Sequence, residues 1–196
     1  MKAFAGDFIL IEKYAQVWDL ALPYLEAGKK KDFVLHTKCV IKSMQMLLEN
    51  EKGDADILMP AAILHDTGWS KVPAALQKSL DKAEAKKAMQ MHLECGALIA
   101  EELLAKLNYG KDKIKRIAAI VFAHKFQSPQ DSEKQIMIDA DNLTDVFYEQ
   151  FYGDCKDYKL TPEELFNIRK NNTYYTKTAR KIFASELDAR KKEIWN

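Results

Sequence analysis

Cysteine, proline and glycine are scarce in this chain, and so is any excess of charge or any long apolar run. Three cysteines, Cys39, Cys95 and Cys155, are odd in number, far apart and without a CxxC pair. That usage suits a reducing compartment better than a disulfide framework. No apolar run approaches the roughly 18 residues of a membrane span. The opening MKAFAGDF carries an acid inside what would be the apolar stretch of a signal peptide, so the expectation is a soluble, cytoplasmic protein. Thirty basic residues against 29 acidic ones leave a formal net charge of +1, which provides no overall field for nucleic acid or a membrane surface. Local runs such as Lys29-Lys30-Lys31 and Arg190-Lys191-Lys192 read as solvated helix ends.

Helix signals fill most of what remains, and strand signals are nearly missing. At 196 residues the chain fits one domain, or one with a helical extension, and can bury a real core. Apolar periodicity predicts helices at about 8–27, 32–52, 54–66, 84–108, 112–126, 132–152, 162–171 and 173–193, with Asp32 and Asp54 as N-caps. Gly28, Gly53, Gly68, Gly110 and Gly153 each follow a periodic run and read as stops, and the five prolines fall between such runs. Thr161-Pro162-Glu163-Glu164 has the form of a capped helix start. Residues 67–83 read as the longest irregular segment. The expected fold class is all-α, a single helical domain over 1–196 with its core at about 31–150 and further helices from about 154 to 196.

Only four histidines are present, His36, His65, His92 and His124, and helical spacing turns each inward. His36 lies in a stripe with Phe33, Val40, Met44 and Leu47; His124 follows Ile117, Ile120 and Val121; His92 precedes Gly96 and Ile99; His65 ends Ile57-Ala61-Leu64. One such histidine alone is ordinarily a core residue bonded to a carbonyl. Four, with none left on the outside, point to ligands of a borderline transition metal, and the carboxylate of Asp66 would complete the set. Asp141 also sits between apolar turns, where an uncompensated carboxylate is costly. Its neighbour Asp139 faces roughly the other side of the helix, and Asp145, four residues on, is a candidate partner for Asp141.

The order His36, His65-Asp66, His92, His124, Asp141 resembles the HD-domain superfamily of metal-dependent phosphohydrolases, all-helical proteins named for the adjacent His-Asp pair. The resemblance runs from about residue 31 to 150 and rests on Ala62-Ile63-Leu64-His65-Asp66 and Ala140-Asp141-Asn142-Leu143, with the histidines in this order between them. It implies that His36, His65, Asp66 and Asp141 hold one metal and that His92 and His124 hold a second, with Asp66 bridging both. The ions would be Fe, Mn or Co, with Zn or Ni as further candidates. Lys125 follows His124 where many cyclic-nucleotide phosphodiesterases have a second histidine, so that branch is not matched. The resemblance is closer to small bacterial HD proteins, including those hydrolysing dinucleoside polyphosphates. It implies hydrolysis of a small phosphate ester, nucleotide or phosphoanhydride by a bridging hydroxide, with Asp66 catalytic. The same ligand order also resembles the di-iron oxygenases of this superfamily, inositol oxygenase and the phosphonate-cleaving enzymes. A non-catalytic nucleotide sensor is a third reading, disfavoured because a sensor need not keep six ligands.

Beyond the metals, the phosphate calls for cations. Lys71, in the irregular segment after Asp66, and Lys125, beside His124, are the expected substrate contacts, and Lys71 is also a catalytic candidate. Trp69 either stacks on a substrate ring or packs its turn against the core. Cys39 and Cys95, three residues after His36 and His92, read as small core residues. The helices beyond 153 either cap the site or form a homodimer surface. The expected partner is a small phosphorylated substrate, not nucleic acid and not a membrane.

Overall fold

Apolar residues recur every three or four positions through most of the chain, and the computed structural model, which describes residues 12–29 and 31–195, makes these stretches helical. A 3-10 turn at Glu12–Tyr14 leads into α1 (Ala15–Ala27), followed by α2 (Phe33–Leu48) and α3 (Ala55–Leu64). A second 3-10 turn, Thr67–Lys71, and α4 (Ala74–Gln77) precede α5 (Lys82–Lys106) and α6 (Lys111–Ala123). Then come α7 (Ser132–Leu143), a third 3-10 turn (Thr144–Val146), α8 (Tyr148–Tyr158), α9 (Pro162–Arg169) and α10 (Lys177–Trp195). The fold is all-α, with no strand among the described residues. No helix among them is long and apolar enough to cross a membrane.

Side chains close the helix starts by accepting amides that the helix leaves without partners. Asp32 accepts the Leu35 N–H at 2.9 Å, and Asp54 accepts that of Asp56 at 2.9 Å. Asp81 and Asp131 do the same for α5 and α7. Thr161 and Glu164 form the reciprocal capping box in front of α9.

α3 is buried on every side from Ile57 to Leu64, which makes it the central helix. It packs against α1, α2, α6 and α7, while α5 lies along α6 and the Thr67–Lys71 turn. One apolar cluster joins these elements and reaches Tyr174, before α10, and Ala179 in its first turn. A smaller one, centred on Phe151, Leu165 and Phe166, ties α8 to α9.

Several expected boundaries differ. The part of the first expected helix before Glu12 lies outside the described residues. Residues 67–83 are not one irregular segment, since they contain a 3-10 turn, α4 and the start of α5. The helix expected over 132–152 is two: Phe147 is extended (φ −71°, ψ 142°) and separates α7 with its 3-10 turn from α8. Phe147 is itself buried, so the apolar pattern continues through the break. Gly153 lies inside α8, which ends instead at Lys159 in the left-handed region (φ 56°). Pro23 and Pro60 lie within α1 and α3 and do not separate elements.

Candidate metal centre

His65 and Asp66 occupy the point where α3 stops. His65 is still α-helical (φ −55°, ψ −39°), while Asp66 turns away (φ −100°, ψ 3°) to begin the Thr67–Lys71 turn. This change of direction lets two adjacent side chains face one centre, which a continuing helix would hold about 100° apart. His124 stands at the corresponding place after α6. His36 comes from α2, His92 from α5 and Asp141 from α7. All six side chains are buried, none more than 3 % exposed.

The helix ends also fix how the imidazoles are protonated. His65 Nδ1 donates to the Ala62 carbonyl at 2.9 Å, and His124 Nδ1 donates to the Val121 carbonyl. Each bond uses a carbonyl that the ending helix leaves free. Thr144 donates its hydroxyl to the Asp141 carbonyl at 2.7 Å, so its oxygen is left to accept from His36 Nδ1, 3.4 Å away. With Nδ1 carrying the proton, Nε2 of each ring presents a lone pair to the centre. His92 is held differently, stacked on Trp69 with ring centroids 4.5 Å apart, and Trp69 stacks in turn on Phe33. Trp69 therefore packs its turn against the core, one of its two expected roles.

The Nε2 atoms meet in pairs, His36 with His65 and His92 with His124, each 3.3 Å apart. Asp66 divides its oxygens between these pairs. Oδ2 lies 3.2 Å from His65 Nε2 and 3.4 Å from His36 Nε2, while Oδ1 lies 3.3 Å from His92 Nε2 and 3.8 Å from His124 Nε2. Asp141 joins the first pair, with Oδ1 3.1 Å from His36 Nε2 and 4.0 Å from His65 Nε2, and Oδ2 ion-paired with Lys125. Two groups of mutually close donor atoms result, His36/His65/Asp66 and Asp66/His92/His124, sharing Asp66.

Lone pairs facing one another across such distances are repulsive unless a cation lies between them. Asp66 Oδ1, which points into the centre, is buried with no hydrogen-bond partner, another sign that the centre is built for something besides protein contacts. Burial lowers the pKa of His36 to about 4, helped by the charge of Lys31, and that of His92 to about 2. Burial lowers His124 as well. These rings are neutral at pH 7, the form that coordinates metal. His65 differs: burial works against its charge, but the charge and hydrogen bond of Asp66 outweigh it and raise the pKa. Burial likewise opposes ionisation of Asp66 and Asp141, yet His65 and His124 around the first, and Lys125 and His36 around the second, hold both well below the usual carboxylate range. Imidazole nitrogens and carboxylate oxygens without a thiolate fit a divalent transition ion.

The other expected residues divide. Lys125, with its side chain 31 % exposed, reaches the centre through Asp141. Against the cost of burial, the charges of Asp141 and Asp66 raise its pKa. Lys71 is exposed, and its ammonium lies over the ring of Tyr24 on α1, 5.7 Å from the centroid. Lys31 stands closer in effect, because its charge acts on His36 and Asp66. Sequence reading placed Lys31 in a solvated run; its position one residue before the N-cap of the helix carrying His36 was the available signal. Cys39 is buried as expected, and burial pushes its thiol up to about 12.

Asp145 turns to the C-terminal helices instead of to Asp141, accepting from Asn172 at 2.8 Å and pairing with Arg169. Arg169 also donates to Asp154 at 2.8 Å. Asp139 faces away from the centre, as its spacing indicated, and is completely buried. It accepts the backbone N–H groups of Tyr175 and Thr176 at 2.9 and 2.7 Å.

Among known protein families, the HD domain matches residues 34–145, which span all six inward side chains. No curated protein and no solved structure matches the chain.

Proposed function

The chain belongs to the HD domain family, and from that membership we propose that it is a metal-dependent phosphohydrolase acting on a small phosphate ester, nucleotide or phosphoanhydride in the cytoplasm. One observation carries this reading: Asp66 gives one oxygen to the His36/His65 pair and the other to the His92/His124 pair. A carboxylate so divided suits two ions, one held by His36, His65, Asp66 and Asp141 and the other by Asp66, His92 and His124. When bound, such a pair supplies Lewis acidity toward phosphate oxygens and an activated water at neutral pH.

The protein's own groups do the rest. The carbonyls of Ala62 and Val121 and the hydroxyl of Thr144 keep the Nδ1 protons in place, so three imidazoles offer Nε2 without reorganisation. Trp69 holds the fourth ring by stacking. Lys125 is the cation we assign to the substrate phosphate, because it is partly exposed at the edge of an otherwise buried centre. Lys31 supplies a second positive charge acting on Asp66.

The test is metal analysis of anaerobically purified protein, followed by phosphate release from nucleotides and phosphorylated metabolites with Mn²⁺, Co²⁺ or Fe²⁺, with and without oxygen. Hydrolysis needs no change of oxidation state, so release should persist with Mn²⁺ or Co²⁺ and without oxygen. An activity requiring both iron and oxygen would replace the hydrolase reading with the oxygenase one.

A further inference from the structure

A cavity of about 390 Å³ opens beside the centre, with His124 and Lys125 at its inner end and residues 173–175, the link between α9 and α10, as its far wall. That volume falls in the range of small-molecule sites, about 300–1,000 Å³. The wall lies outside the residues that match the HD domain, so it belongs to this chain's own extension.

The link is held from two sides. Asp139 on α7 takes the N–H groups of Tyr175 and Thr176, and Tyr174 donates its hydroxyl to the Asn142 carbonyl at 3.2 Å. The Tyr175 hydroxyl also accepts the N–H of Ser128, which lines the same cavity, at 3.0 Å. Ser128 is in the left-handed region (φ 51°), a conformation that costs a non-glycine residue energy and persists only where its surroundings hold it. The loop following His124 and the link following α9 are thus fastened to each other at the cavity.

Its lining mixes flat faces with hydrogen-bonding groups. Phe126 is 44 % exposed, yet its ring is oriented by an edge contact with Phe122, centroids 5.3 Å apart. Tyr175 adds a second ring, and the amides of Gln127 and Asn142 can each donate and accept. Lys125 stands between this lining and the metal centre. An aliphatic chain would leave the amides unused. A planar ring with hydrogen-bonding edges uses both.

We infer that this cavity is the specificity pocket of the site, binding a nucleobase-sized heteroaromatic group of the substrate between Phe126 and Tyr175 while the phosphate lies toward Lys125. The inference rests on the hydrolase reading for the phosphate, but the pocket can be tested without it. In chelator-treated, metal-free protein, binding of adenosine, guanosine, cytidine and uridine is measured by saturation-transfer NMR and calorimetry, with ribose 5-phosphate as the ring-free comparison. At least one nucleoside should bind, and Phe126→Ala should weaken it about tenfold, the scale of one lost base–aromatic stack. Phe126 is on the surface, so this variant folds; Tyr175→Ala, which also loses the tie to Ser128, should act in the same direction. In metal-loaded protein, Phe126→Ala should lower the kcat/KM ratio of nucleotide over ribose 5-phosphate by about the same factor, mainly through KM. Phosphate release without any nucleoside binding, or equal loss for both substrates, would overturn the pocket and leave the hydrolase standing. Nucleoside binding that responds to Phe126, with no phosphate release under any metal, would support the pocket and remove the hydrolase.

Discussion

Gly68 lies against the backbone of His92 so closely that a Cβ at position 68 would come within 2.0 Å of the His92 carbonyl oxygen and 2.6 Å of the Gly96 nitrogen. Both obstacles are main-chain atoms of α5, which cannot rotate aside as a side-chain tip can. The contact brings the turn after His65-Asp66 onto the helix that carries His92, and so brings the two donor groups together. Gly68→Ala should therefore cost about 3 kcal/mol or more, at the upper end for overpacking, and should also reduce metal content. Urea unfolding and metal analysis would check this; a variant as stable as the parent, with its metal retained, would show that the two backbones can separate without harm.

Asp139 satisfies two part-buried amides of the link between α9 and α10. Asp139→Ala leaves both without an acceptor, at about 1–2 kcal/mol each, the lower end of the range because both are only part-buried. The expected outcome is a loss of about 2–4 kcal/mol in chemical denaturation, together with faster hydrogen exchange at Tyr175 and Thr176. Exchange that stays slow at these two amides would mean that the link is held by Asn172 and the Tyr175 hydroxyl instead.

The donor set was legible because it depends on residue type and order, and every histidine of the chain belongs to it. His36, His65, His92 and His124 all sit on apolar stripes, and helical periodicity is enough to turn such residues inward. The break at Phe147 was hidden for the same reason: a buried aromatic prolongs the apolar pattern whether its backbone is helical or extended. Lys31 was easily passed over, because one lysine in a run of three looks like any solvated cation and its place before the N-cap of the His36 helix is a weak mark; only the folding of α2 against the Asp66 turn gives its charge a target. The role of Asp139 depends on amides 36 and 37 residues further along the chain, and no local pattern announces a contact of that range. Gly68 did carry a signal, but the signal read as a helix stop when the physical reason is the approach of a second backbone.

Acid should expose a contact that anchors the start of α3. Asp56 accepts from Lys113 at 2.9 Å and pairs with Lys13, and these hydrogen bonds lower its pKa from 3.8 to about 2. A carboxyl lowered on folding contributes stability that is whole above the unfolded value of 3.8 and is lost as the pH falls through about 2. The pair is largely solvent-exposed, so the contribution is small and screened by salt. Comparing unfolding of the parent and Asp56→Asn from pH 6 to pH 2 should give a constant difference above about pH 4 that shrinks below it. A difference that grows toward acid would contradict the assignment.

Metal stoichiometry distinguishes a bridge from an ordinary ligand. Asp66 faces both histidine pairs, whereas His92 and His124 face only one of its oxygens. Replacing His92 or His124 by alanine removes a donor from one group and leaves His36, His65, Asp66 and Asp141 in place. If the centre takes two ions as proposed, each variant should retain about one ion per chain, with phosphate release falling by at least about a hundredfold as the second ion is lost. Asp66→Ala removes an oxygen from both groups, leaving His92 and His124 with no carboxylate and His36 and His65 with Asp141 alone, so it should lose the second ion outright and weaken the first, retaining less than one ion per chain. Mass spectrometry of metal content on gel-filtered protein, with circular dichroism to confirm that the helices persist, reads both results. Two ions in Asp66→Ala would refute the bridge; unchanged metal in both histidine variants would confine the metal to the first group and make His92 and His124 contacts of another kind.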